Sequence, residues 1–152
     1  RQAARAIDRT IVMMIAAALA LGSALQATGG AEFLAGLLLS AVGDASPAVI
    51  LSAFFLLVAV LANIISSKAC AVLFTPIAIG IAHQMQVDPV IFAVAVVFAA
   101  NCAFATPVGY QTSLLVMGPG HYRFGDFVRA GAPLVILLWL TFSLFAPWYY
   151  DL

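Results

Sequence analysis

The chain has 152 residues, 65% of them hydrophobic and 8% charged, with a mean hydropathy of +1.15. Soluble domains run about 45–50% apolar and about 25% charged, so an ordinary cytosolic domain is excluded. Six basic and six acidic residues cancel, and no basic cluster offers a nucleic acid a phosphate-binding stripe.

The charges leave long uncharged runs at 10–31, 45–67, 89–122 and 130–150. Each is able to hold the ~20 apolar residues that a bilayer-spanning helix needs, so the chain reads as an all-α protein of the lipid bilayer. The opening Arg-Gln-Ala-Ala-Arg lacks a Met. It fits neither a signal peptide nor a presequence, because Asp8 and a long apolar stretch follow at once. The chain therefore reads as the C-terminal part of a longer polypeptide.

In chain order, residues 10–27 predict one apolar helix, broken at Thr28-Gly29-Gly30, where two adjacent glycines are poor helix formers. Residues 33–42 predict a short helix. Gly43–Pro47 is the next break, with Ser46 expected as N-cap and Pro47 at the first helical position. Helices are then expected at 48–64 and 69–84, separated by the polar Ser66-Ser67-Lys68 and with Pro76 inside the second. Val87-Asp88-Pro89 reads as a turn. A helix at 89–107 gives way to the polar run Val108–Ser113, and residues 114–117 form a short apolar piece. A polar loop at 121–129 leads to the last helix, 133–148.

Charge sets the orientation. Arg1, Arg5, Arg9, Arg123 and Arg129 fall on one side of the membrane and Asp44 and Asp88 on the other, which makes the basic face cytoplasmic. Charge counting does not distinguish two full spans at 48–84 from a re-entrant hairpin, because both keep the same parity. In the first case Lys68 lies in a cytoplasmic turn; in the second it lies near the membrane centre.

Two segments interrupt apolar helices with small and polar residues: 63–68 and 101–113. Non-helical backbone survives at membrane depth only where protein or a water-filled cavity satisfies it, and broken helices bind substrate at mid-membrane in many secondary transporters. Pro107-Val108-Gly109 supplies the second break, since Pro lacks an N–H and Gly relaxes the backbone. Asn63 and Asn101 are read either as hydrogen bonds between helices or as lining of a site. His83 and His121 read as solvated or capping, and Glu32 as a first-turn acid. Cys70 and Cys102 read as small buried apolar side chains rather than a disulfide or metal pair. Nothing resembles HExxH, GxSxG, a P-loop or a carboxylate pair, so the expectation is that the chain is not an enzyme.

Three stretches resemble the divalent anion:sodium symporter family. These are Leu19-Ala20-Leu21-Gly22-Ser23-Ala24-Leu25-Gln26-Ala27-Thr28-Gly29, Ala62–Ala71 followed by Pro76-Ile77-Ala78, and Phe104–Ser113 continuing through Gly118-Pro119-Gly120 to Arg123-Phe124-Gly125-Asp126. The third is worded like bacterial sulfate-type members rather than like the carboxylate carriers. The resemblance implies the C-terminal repeat of an elevator-type transporter of the bacterial inner (plasma) membrane. Such transporters are usually homodimers, and the N-terminal repeat of the same protein supplies the other half of the site. The implied organisation is about three transmembrane crossings plus one re-entrant helical hairpin and a broken helix. The parts would be a broken arm helix at 10–43, the hairpin at 48–84, the broken helix at 89–118 and the last transmembrane helix at 131–150.

The same resemblance puts a small anionic substrate, sulfate rather than a di- or tricarboxylate, on Ser66, Ser67, Lys68, Tyr110, Gln111 and Thr112. It puts a coupling Na+ on the carbonyls of Ala62 and Ile65, on Ser67 and on Gly109. The alternative is a membrane subunit that transports nothing. Two positions depart from the family tip: Ser67 stands where Asn is usual, and Lys68 where Asn or Thr is usual. A lysine at the bilayer centre costs about 2.5–3.5 kcal/mol on insertion scales and calls for a counter-charge. It pairs with a substrate dianion, takes the place of Na+, or snorkels to water. Weak or absent sodium dependence is the expectation.

Overall fold

A computed structural model describes residues 45–117, 119–150 and 152, with isolated positions between 20 and 40; every structural statement below concerns these residues. The expected arm helix at 10–43 lies outside them except for those positions. Of its predicted break, Thr28 and Gly29 form a turn, with Gly29 at φ +70°, a conformation that side chains with a Cβ rarely adopt.

Every regular element is helical: α1 (Pro47–Ala62), α2 (Ser67–Gln84), α3 (Pro89–Ala100), α4 (Gln111–Met117) and α5 (Phe124–Tyr150). Ser46 is the N-cap of α1, but its side chain makes no capping hydrogen bond; Pro47 behind it removes one of the donors a cap would have to satisfy. Helix α2 starts two residues before the expected position because Ser66 caps it, its Oγ accepting the Ala69 N–H at 3.2 Å. Asp88 caps α3 in the same way, its Oδ1 accepting the Val90 N–H at 2.9 Å.

Three boundaries differ from the sequence reading by more than two residues. Helix α3 stops at Ala100 rather than running to Pro107. The Asn101 side chain bonds back to the Val97 carbonyl and the Cys102 thiol to the Phe98 carbonyl, and Thr106, the residue before a proline, is disfavoured from helix. The polar run after the break is already helical from Gln111. Helix α5 begins at Phe124, inside the expected loop: the Asp126 carboxylate accepts the Arg123 N–H at 2.7 Å, the acidic half of a capping box.

Helix α1 forms principal contacts with α2, α3 and α5, and α2 with α3. Phe54 sits at the centre, its ring 6.1 Å from Phe74 of α2 and 6.0 Å from Phe92 of α3. Around it Ala59, Ala62, Ala78, Ala82, Ala95 and Ala99 are fully buried. Small residues of this kind let helix backbones approach closely, which matters in lipid because no hydrophobic driving force pulls helices together there.

Among the described residues one helix is long and apolar enough to cross a bilayer, the 27-residue α5. The 16 residues of α1 rise about 24 Å and the 18 of α2 about 27 Å, short of a hydrocarbon core of about 30 Å.

Candidate functional site

The chain between α1 and α2 is the tip of a helical hairpin. At the end of α1 the Ile64 and Ile65 N–H groups both go to the Leu61 carbonyl, so neither is spent on Ala62. Ser66 then takes an extended conformation, and its Oγ accepts a hydrogen bond as N-cap. A hydroxyl has one donor and two acceptor positions, so capping leaves the Ser66 proton for a ligand. Ser66 and Ser67 are half-buried and Lys68 is exposed. Lys68 lies in the first turn of α2, where the helix dipole is already positive, and among the described residues it forms no ion pair. The tip sets two hydroxyls and an ammonium at the positive end of α2, a chemistry that suits an anion.

Residues 101–110, between α3 and α4, are stitched to this tip. Asn63, the C-cap of α1, is buried at 8% exposure. Its Nδ2 donates to the carbonyls of Ala59 (2.8 Å) and Cys102 (2.9 Å), and its Oδ1 accepts the Ala105 N–H (2.8 Å). The main-chain carbonyl of Asn63 accepts the Thr106 hydroxyl, and Thr106 Oγ1 accepts the Gly109 N–H at 3.3 Å. The Ser67 N–H closes the ring by donating to the Gly109 carbonyl at 3.3 Å. The irregular backbone here is thus hydrogen-bonded from within the protein.

Glycine is required where these pieces touch. A Cβ on Gly109 would lie 2.8 Å from the Ala62 carbonyl oxygen and 3.1 Å from the Ala103 Cβ. A Cβ on Gly131 of α5 would lie 2.5 Å from the Phe104 carbonyl oxygen and the Ala105 Cα, so α5 presses on the outside of the same break.

Among the residues expected to form a site, Ala62, Ser67 and Gly109 come together through these contacts, and Ser66 precedes Ser67 as the cap of α2. Ile65 lies in the same tip, 49% exposed. Tyr110 and Thr112 are exposed beyond Gly109, and among the described residues no hydrogen bond joins their side chains to Ser66–Lys68; Gln111 opens α4. Asn101 turns back to its own helix, whereas Asn63 reaches across. Cys70 and Cys102 are free and buried. Among the described residues no group of His, Cys, Asp or Glu is placed to hold a metal ion.

Sequence reasoning did not single out Thr106, Gly131 or the polar contact between α1 and α5. In that contact Ser52 Oγ and Ser143 Oγ are 2.6 Å apart, and the Trp139 indole N–H donates to the Ser52 carbonyl and hydroxyl, each at 3.1 Å. The only prior signal for Thr106 was its place before Pro107.

The profile of the citrate transporter family matches residues 1–152 in full. The chain belongs to this family. Relatives within reach include an uncharacterised transporter of Synechocystis, 40% identical over 136 residues that make up 90% of this chain and 22% of the relative. The probable sodium/sulfate cotransporter 3 of Chlamydomonas reinhardtii is 32% identical over 145 residues, 93% of this chain and 16% of the relative. The sodium-dependent dicarboxylate transporter of Staphylococcus saprophyticus is 27% identical over 142 residues, 90% of this chain and 27% of the relative. The match to sodium/sulfate and dicarboxylate carriers agrees with a permease of the divalent anion:sodium symporter type. This family member spans about a fifth of the length of the first of these relatives.

Proposed function

We propose that the chain is the C-terminal repeat of a secondary transporter that moves a small divalent anion, sulfate in preference to a carboxylate, across the bacterial inner membrane. The observation that carries this reading is the junction of the hairpin tip with the unwound segment 101–110. It brings Gly109 against the Ala62 carbonyl and ties the Gly109 carbonyl to the Ser67 N–H, at the start of the helix that Ser66 caps and whose first turn carries Lys68. Helices α1 and α2 are each shorter than a bilayer core, which supports a re-entrant hairpin with its tip inside the membrane. The arrangement then needs two further crossings, at α3–α4 and α5, besides the arm at 10–43. A second repeat, in the part of the protein outside this chain, supplies the opposite wall of the site and completes an elevator that works as a homodimer.

In this reading the anion sits on the tip, with Tyr110, Gln111 and Thr112 lining its far side. Lys68 provides one of the two positive charges a dianion requires. Binding the anion relieves the cost of an unpaired ammonium at membrane depth, and the same charge discourages a Na+ among the carbonyls of Ala62, Ile65 and Gly109. Coupling to sodium is therefore weak. The kinship with a sodium-dependent dicarboxylate transporter favours a second reading, in which the substrate is a dicarboxylate.

The test is uptake of radiolabelled sulfate by the full-length protein in proteoliposomes, with and without a sodium gradient. The expected result is saturable sulfate uptake that unlabelled sulfate suppresses more strongly than succinate or citrate, with a shallow response to sodium. Stronger suppression by a dicarboxylate supports the second reading. A steep sodium response refutes the role given to Lys68. No uptake of any of these anions refutes transport.

A further inference from the structure

The least expected polar group in the described residues is the side chain of Asn63. It lies one residue from the Ala62 carbonyl and three from Ser66, is buried, and spends its side-chain hydrogen bonds on main-chain groups alone. Both of its amide hydrogens are used, on carbonyls of two different segments, and its oxygen takes the backbone N–H of Ala105. Only an amide satisfies this set: two acceptors and one donor converge on one planar group. Removing it strands two carbonyls and an N–H where water is scarce, at a cost well above that of an exposed hydrogen bond.

We infer that Asn63 is a positioning residue for the anion site. It acts through the backbone, by clamping the hairpin tip to residues 102–105 so that Ser66, Ser67 and Gly109 keep one spacing. The inference rests on the anion-transport reading and deepens it. If the tip hinged freely on α1 and α2, each binding event would first have to order it, and the apparent affinity would fall by the fraction of time the tip is out of place. The clamp removes that loss. Asn63 makes no contact with the anion, so its effect falls on the affinity of the site rather than on the number of working transporters.

The experiment compares Asn63→Leu and Asn63→Asp with the wild-type full-length protein in proteoliposomes, using sulfate as the probe. Rates are normalised to the amount of folded protein recovered. Loss of a buried hydrogen-bond set of this kind corresponds to about a tenfold rise in sulfate KM for Asn63→Leu, with Vmax little changed. Asn63→Asp keeps the acceptor for Ala105 and lacks both donors when ionised. Its KM therefore rises too, and falls back towards wild type on acidification, when the protonated carboxyl regains one donor. A second readout does not depend on transport. Cys102, 3% exposed and bonded to Asn63 through its carbonyl, is modified by N-ethylmaleimide and the rate is read by peptide mass spectrometry. Faster modification in Asn63→Leu is expected.

Unchanged KM with a proportional loss of Vmax, or an unchanged Cys102 rate, overturns the inference while the transport reading stands. A wild-type protein that moves neither sulfate nor dicarboxylate overturns the transport reading and the positioning role together, whatever Cys102 reports.

Discussion

The hairpin tip with residues 101–110, and helix α5, satisfy a membrane environment in opposite ways. The first is irregular backbone held by the Asn63 amide, the Thr106 hydroxyl and two glycine-sized approaches, with hydrogen bonds running between segments. The second is 27 residues of helix, bonded within itself except where Pro133 and Pro147 lack an N–H, with Leu137, Leu144 and Trp148 more than half exposed. It meets the rest of the protein along one side, at Gly131, at the Ser52–Ser143–Trp139 contact and at Phe142, whose ring stacks on Phe55 at 4.5 Å. Backbone that leaves the helix must be positioned by specific side chains, whereas backbone that stays in the helix is free to face lipid. Substitutions therefore should be costly where segments are stitched and mild along the exposed face of α5.

The largest effect is expected at the closest approach. Gly109→Val drives a branched side chain into the Ala62 carbonyl and Ala103. Overpacking of this kind costs about 1–3 kcal/mol, and here the strain falls on the site itself, so anion uptake per molecule in the membrane should drop by about tenfold or more. Uptake equal to wild type would mean that the two segments are not held together during transport. Gly131→Ala tests the other side of the same break. Its Cβ meets Phe104 and Ala105, and the expected result is a lower midpoint of thermal unfolding in detergent, by about 1–3 kcal/mol of stability, with α5 displaced from the break.

A smaller effect, confined to ion coupling, is expected from Ser67→Asn combined with Lys68→Asn. Removing the fixed ammonium opens room for a cation among the tip carbonyls, so the dependence of uptake on sodium should steepen. An unaltered sodium response would detach Lys68 from coupling. The smallest effect belongs to the α1–α5 contact. Ser143→Ala removes one interhelical hydrogen bond, worth about 0.6 kcal/mol on average in a membrane protein, and should lower the unfolding midpoint slightly without changing sulfate KM. A shift in KM would show that α5 is part of the site rather than its support.

The sequence carried the helices and their polar interruptions well, because both depend on local composition. Ser66-Ser67-Lys68 stands out between apolar runs, and Pro107 with Gly109 announces a break. Boundaries set by side-chain hydrogen bonds were harder to read. Ser66 starts α2 early by capping it, Asp126 starts α5 inside an expected loop, and Asn101 with Cys102 turns α3 back on itself well before Pro107. The stitching was not legible at all. Asn63 and Ala105 are 42 residues apart, Ser52 and Ser143 are 91 apart, and no local pattern pairs them. Gly131 reads as one more small residue in an apolar helix until its neighbour, the Phe104 carbonyl, is known.

The central claim is that Ser66–Lys68 forms an anion-binding tip inside the membrane, reached from the external face. It is tested most directly by labelling Ser66→Cys, with Cys70 and Cys102 replaced by alanine, using a membrane-impermeant thiol reagent applied to either side of the full-length protein. The account predicts reaction from outside at a rate that saturating sulfate reduces. Reaction from the cytoplasmic side alone, at a rate indifferent to sulfate, would make the segment an ordinary loop between two full spans and would contradict the account.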